Sequence, residues 1–451
     1  MNPTTIEIVG TVCFTLAVLH TFVAKKIESI GHKYPEGSMQ ENLFHFLGEV
    51  EAVFGIWGLI FLTFYTFING FWNMDASHHL ILGLKESPYL NAAGEHIPGA
   101  INYLQAMNYT EPLFVFVIMC VAGTRPVIVL AEKLIMGLSK VVPLPPKMAF
   151  YVATLILGPL LGSFMTEPAA MTVTALILLD YFYSSDMSEK FKYATIGLLF
   201  VNVSIGGTLS HFAAPPVLMV AGKWGWGLSH MLTHYGYKSA IAVVISTLAI
   251  AFYFKKELTG NLEIKQKHDN YLEPTWWMIL IHVMFLAFVV LTAHFPSAFM
   301  GAFLFFLGFH AVTTEYQDEV KLKESLLVGF FLGGLVTLGT MQQWWLKDIL
   351  GSLGDITLYF SATSLTAITD NAALTYLGTL VELSDSAKYY LVAGAVAGGG
   401  LTVIANAPNP AGFGILKASF GEKGITPLGL LKSALFPTVV ALICLHFLPN
   451  L

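Results

Sequence analysis

Apolar runs, most of them close to the roughly 20 residues a helix needs to cross a bilayer core, recur along the 451-residue chain. They fall near 5–24, 45–71, 112–136, 192–222, 238–254, 274–294, 297–312, 325–346, 388–416 and 428–448, which predicts ten spans. Two further apolar stretches, 149–182 and 355–382, are interrupted by SFMTEP and TAITDN. Such interruptions are too polar for lipid contact, so each stretch is expected to form a re-entrant helical hairpin whose tip is buried in protein. Two of the spans carry their own interruption. Glycines 206, 207 and 398 to 400, followed by Pro215, Pro216, Pro408 and Pro410, cannot sustain a regular membrane helix, so 192–222 and 388–416 are expected to be broken.

Composition agrees with an all-α polytopic membrane protein: hydrophobic residues make up 55% of the chain, charged residues 12%, and mean hydropathy is +0.67. The net charge of -6 is spread over the loops, and no basic patch with interleaved aromatics appears, which argues against a nucleic-acid partner. Cys13, Cys120 and Cys444 lie far apart in apolar stretches and read as buried thiols. The first run lacks a basic leader and precedes Lys25 and Lys26, so it is expected to be a retained span. Placing both termini outside the cytoplasm leaves only Lys85, Lys223, Lys238, Lys347 and Lys388, of 23 Lys and Arg, on the outer side. That asymmetry predicts insertion in the cytoplasmic membrane with the long segment 73–110 outside, the first hairpin entering from the cytoplasm and the second from the exterior.

The two halves also match in ordered blocks. GTRPVIVLAEKL at 123–134 pairs with GTMQQWWLKDIL at 339–350, TEPAAMT at 166–172 with TDNAALT at 369–375, and GGTLSHFAAPP at 206–216 with GGGLTVIANAP at 398–408. Five spans per half is an odd number, so the copies are expected to lie inverted in the membrane: 1–254, a cytoplasmic linker 255–272, and 273–451. Inverted repeats with interrupted helices at corresponding places point to a secondary transporter with its site near the midplane.

These paired motifs, a Thr-acid turn at a hairpin tip and a Gly-Gly-x-x-[ST] break in the next helix, resemble the ion transporter superfamily, and within it a sodium/proton antiporter family, over nearly the whole length. The superfamily also holds arsenite transporters and sodium-coupled dicarboxylate carriers. The carriers have Ser-Asn-Thr at both tips, whereas Thr166-Glu167-Pro168 and Thr369-Asp370-Asn371 stand here. The resemblance implies a secondary active transporter that exchanges sodium or another monovalent cation for protons by elevator-type alternating access, as a homodimer with no cofactor beyond the transported ions. The alternative it leaves is a sodium-coupled symporter of an organic or inorganic anion; an ion channel is a further rival of another class.

Hairpin tips expose carbonyls ending one half-helix and N–H groups beginning the next, partners for an ion stripped of water. Glu167 and Asp370 sit where the helix end favours their charge while burial favours a proton, so either could hold a cation or its competing proton; each could instead simply cap its helix. Thr166, Thr369, Asn371 and Asn406 would supply neutral oxygens, with Ser163, Thr366, Thr208, Ser210 and Thr402 around them, although such hydroxyls often satisfy helix carbonyls. Glu49 and Glu51 are candidates for a proton relay or for simple interfacial acids, and Arg125 for a paired or snorkelling cation. His230 and His234, spaced i,i+4, and the SHH at 77–79 are the only metal-like patterns, without a third ligand of clear spacing. No phosphate loop, G-x-S-x-G or H-E-x-x-H appears, which argues against an enzyme.

Overall fold

The computed structural model describes residues 3–71, 99–183, 187–260 and 272–451. His78, His79 and His96 of the predicted outer loop, and most of the predicted linker 255–272, lie outside the described residues. The helices run α1 Thr5–Gly31, α2 Met39–Gly48, α3 Val50–Asn69, α4 Ala100–Ala106, α5 Thr110–Ala122, α6 Arg125–Val141, α7 Pro146–Met165, α8 Glu167–Phe182, α9 Glu189–Gly206, α10 Pro215–Trp224, α11 Leu228–Tyr253, α12 Trp276–Leu291, α13 Pro296–Ala311, α14 Leu322–Ser352, α15 Asp355–Thr366, α16 Asn371–Thr379, α17 Asp385–Gly398, α18 Asn409–Lys417 and α19 Pro427–Phe447. No strand occurs among the described residues.

Six of these, α1, α3, α7, α11, α14 and α19, are long and apolar enough to cross a bilayer, and α4 with α5 makes a seventh if the bent pair is one span; α12 and α13 are apolar but shorter. The protein is a multi-pass all-α membrane protein. Part of the gap to ten spans comes from 112–136, expected as one helix but divided into α5 and α6 at Gly123-Thr124. Thr124 takes the cap position and Pro126 the first turn, both of which favour a new helix start. Helix α2, capped by Ser38 accepting from Glu41 N, has no counterpart in the sequence reading.

The chain forms two compact units, 1–113 with 326–352 and 380–382, and 114–325 with 353–379 and 383–451. In the first, α1 packs on α2 and α3. Phe54 meets Phe14 and Phe331 edge-on at 5.5 and 5.3 Å, and the glycine-rich run 329–339 lies against α3, where a Cβ on Gly334 would fall 2.2 Å from Phe54 O. Glu49 and Glu51 stand at the start of α3 in this unit.

The second unit holds both hairpins and both breaks. Arms α7 and α8 turn back on each other through the single residue Thr166, and they approach closely because Gly158 and Gly162 line the contact: a Cβ on Gly158 would stand 2.3 Å from Thr174 Oγ1. Arms α15 and α16 are joined by 367–370. Helix α9 ends at Gly206, passes through a 3-10 turn Gly207–Leu209 and resumes as α10 at Pro215; α17 ends at Gly398, with a 3-10 turn Val403–Ala405 before α18. Both breaks fall where glycine and proline predict them. Packing is reciprocal: α8 lies on α18 and α16 on α10, while α7 lies on α9 and α15 on α17. The core between them, including Val201, Val217, Val243, Val392, Val396 and Ala441, is fully buried.

Gly158→Val forces the arms apart, an overpacking that costs about 1–3 kcal/mol. The expected outcome is a lower unfolding midpoint of the purified protein in detergent; an unchanged midpoint would contradict this packing.

Candidate functional site

Thr166 is the only described non-glycine residue with a positive φ, at φ 80° and ψ 149°. A β-branched residue there is strained by about 1–3 kcal/mol, the kind of cost found at functional sites and held in place by the surrounding fold. Its consequence is geometric. One residue reverses the chain, so α8 begins at once with Glu167, whose side chain is 0% exposed.

Glu167 Oε2 accepts a hydrogen bond of 2.8 Å from Asn406 Nδ2, joining the first hairpin tip to the second break. Glu167 Oε1 is buried with no hydrogen-bond partner. Room for the carboxylate comes from Gly207, where a Cβ would stand 2.5 Å from Oε1. Ser163 fixes the tip to the first break, donating to Gly206 O at 2.7 Å and accepting from Leu209 N at 2.9 Å. A bond to a charged group contributes about 1.5–3 kcal/mol and a helix N-terminus up to about 2. An ionised carboxylate taken out of water costs several kcal/mol; Asn406 and the α8 terminus offset much of it, and no hydrogen bond answers Oε1. A cation or a proton would answer it.

Other buried oxygens around the tips and breaks are also without partners. They include Thr166 Oγ1, Ser210 Oγ, Thr366 Oγ1, Asn406 Oδ1 and Asn371 Oδ1. Asn371 opens α16 with neither amide atom hydrogen-bonded, against Gly399 and Ser204. Ser204 Oγ donates to Val396 O at 2.7 Å and so ties the helix before one break to the helix before the other. Hydroxyl and amide oxygens with free lone pairs are the donors a dehydrated alkali cation takes.

The remaining expected residues have structural partners. Asp370 is partly exposed, and its Oδ1 accepts from Ala372 N and Ala373 N at 2.8 and 3.2 Å, capping α16; its charge also acts on Glu167 through space. Thr369 donates to Leu365 O, Thr402 to Ala367 O, and Thr208 to Ile205 O beside Ser239 Oγ. Asn409 is a residue the sequence reading missed. Fully buried, it donates to Gly399 O and Thr402 O across the second break and keeps Oδ1 unpaired. The signal was present in ANAPNP, where a second Asn follows Asn406 by three residues.

Arg125 is a paired cation, bonded to Asp318 and, at 2.9 Å, to Gln317 O. His230 and His234 stack at 4.1 Å, and no group of three His, Cys, Asp or Glu that could hold a metal occurs among the described residues. The three cysteines are free and buried.

A sequence family described as "Putative Na+/H+ antiporter" matches residues 5–448. The chain belongs to this family. Membership supports cation/proton exchange in general and sets the chain among transporters, not in an enzyme family. No curated protein matches the sequence.

Asp370→Ala removes the α16 cap and costs about 1 kcal/mol, whereas Asp370→Asn keeps an equally good capping oxygen. The expected outcome is a lower unfolding midpoint for the alanine variant only; equal losses in both would contradict the cap.

Proposed function

We propose that this antiporter exchanges sodium, or another monovalent cation, for protons at Glu167. The observation that carries the reading is the divided carboxylate: one oxygen held by Asn406, the other buried and unpartnered. A cation and a proton compete for the same atom, and that competition is all obligatory exchange requires. Loading sodium expels the proton; loading a proton expels sodium. Thr166, Asn371 and Asn406 supply neutral oxygens, Ser163 and Thr402 hold the tips against the breaks, Thr208 ties the first break to Ser239 of α11, and Asp370 adds negative charge that draws cations toward the site.

Two inverted repeats, 1–254 and 273–451, account for the matched blocks. Support comes from the reciprocal packing of each hairpin's second arm, α8 or α16, on the other half's broken helix. It comes also from matched departures from α-helix at Gly123-Thr124 and at Thr340–Gln342. In this reading the hairpins and breaks move together as the carrier part of an elevator, in the cytoplasmic membrane, with both termini outside. Glu49 and Glu51, at the start of α3, act in this reading as a proton relay.

Proteoliposomes carrying an internal pH dye test the reading directly. Pulses of sodium, lithium or potassium should move protons in the wild type, and Glu167→Gln should reduce that flux to the level of empty liposomes. Asp370→Asn should keep exchange but raise the half-maximal cation concentration several-fold. Undiminished flux in Glu167→Gln contradicts the assignment, and substrate-dependent sodium uptake without proton movement favours anion symport.

A further inference from the structure

Away from the hairpin tips, the second unit contains a cavity of about 680 Å³ bounded by the first turns of α11 and α17 and the end of α19. It falls within the roughly 300–1,000 Å³ typical of small-molecule sites. None of the residues assigned to cation binding lines it.

Its chemistry is unlike that of the cation site. One wall is a column of flat rings: Trp226 stacks on His230 with centroids 4.6 Å apart, and His230 stacks on His234 at 4.1 Å. His234 Nδ1 lies 3.1 Å from His230 O and 2.9 Å from Thr233 Oγ1. At the floor is Lys238, 2% exposed, whose ammonium donates to Tyr389 OH and Asn450 Oδ1 at 2.8 Å each and lies 4.6 Å from the Tyr389 ring centre. All these partners are neutral. An ammonium has three N–H bonds and a full charge, so two neutral acceptors leave a donor and the charge unanswered. The lining contains one acid, Asp385, and that carboxylate is engaged at the rim by Lys388 at 2.8 Å. Two ring nitrogens of the lining, His230 Nε2 and His446 Nδ1, are buried without a hydrogen-bond partner. The backbone is also unusual here: Leu232–Gly236 is π-helical, a rare local form frequent at functional sites.

We propose that this cavity binds a planar organic anion, its ring laid on the Trp226–His230 column and its carboxylate on Lys238. A bare inorganic ion would answer the charge and leave the ring wall unused; a neutral ring would leave the ammonium unanswered. The two features together select an aromatic carboxylate.

Calorimetric titration of the detergent-purified full chain with benzoate, benzamide and chloride tests this. Benzoate should bind; benzamide and chloride should bind at least tenfold more weakly. Lys238→Met should weaken benzoate at least tenfold. Trp226→Ala, which leaves the buried lysine in place, should weaken it several-fold and so guards against misfolding of the lysine variant. Glu167→Gln should bind benzoate as the wild type does, which separates this site from the cation site. Absence of benzoate binding, equal binding of benzamide or chloride, or binding undiminished in both Lys238→Met and Trp226→Ala would overturn the proposal.

Discussion

A carboxylate with no exposed surface, sealed between a hairpin tip and a helix break, constrains everything near it. Glu167 needs the Asn406 amide on one oxygen, the open space above Gly207 for the other, and a chain reversal at Thr166 sharp enough to put an acid on the first turn of α8. Each of these has a price in regular structure. Thr166 sits in a backbone region that suits glycine, α9 gives up its helix at Gly206, and α17 gives up its own at Gly398 so that Asn406 can turn inward. Broken membrane helices are tolerated where protein satisfies the freed backbone, and Ser163, Thr402 and Asn409 supply that satisfaction.

The two acids that look equivalent in the sequence differ in the structure for a reason of side-chain length. Asp370 is short, and at a cap position its carboxylate folds back onto the N–H groups of Ala372 and Ala373. Glu167 is one methylene longer and stands one position later, inside α8, so its carboxylate extends across to Asn406. The stronger preference of caps for Asp over Glu was a legible signal for this division. It leaves Glu167 as the buried charge and Asp370 as a helix cap whose field still reaches it.

Most of the architecture was legible because polar residues and Gly-Pro clusters inside apolar runs have few physical solutions in a membrane. Both breaks and the second hairpin lie within the predicted stretches, and the first hairpin begins three residues earlier, at Pro146. The division at Gly123-Thr124 was written in Thr124 and Pro126 as a helix start, but a continuous apolar run masks such a signal. Three things were not legible at all. The φ of Thr166 depends on the packing of both arms. The Glu167–Asn406 bond joins residues 239 positions apart. The cavity over Lys238 is assembled from three separate segments, of which only the His230–His234 pair carries a sequence pattern.

The central claim is that sodium and a proton compete for one buried carboxylate oxygen. It is tested most directly by counting protons released as sodium binds to the purified protein, through titration calorimetry in buffers of different ionisation enthalpy across a range of pH. The account predicts proton release approaching one per sodium on the acidic side, apparent affinity falling toward tenfold per pH unit as the solution is acidified, and neither signal in Glu167→Gln. Sodium binding of constant affinity with no proton released, or binding that survives in Glu167→Gln, would contradict it.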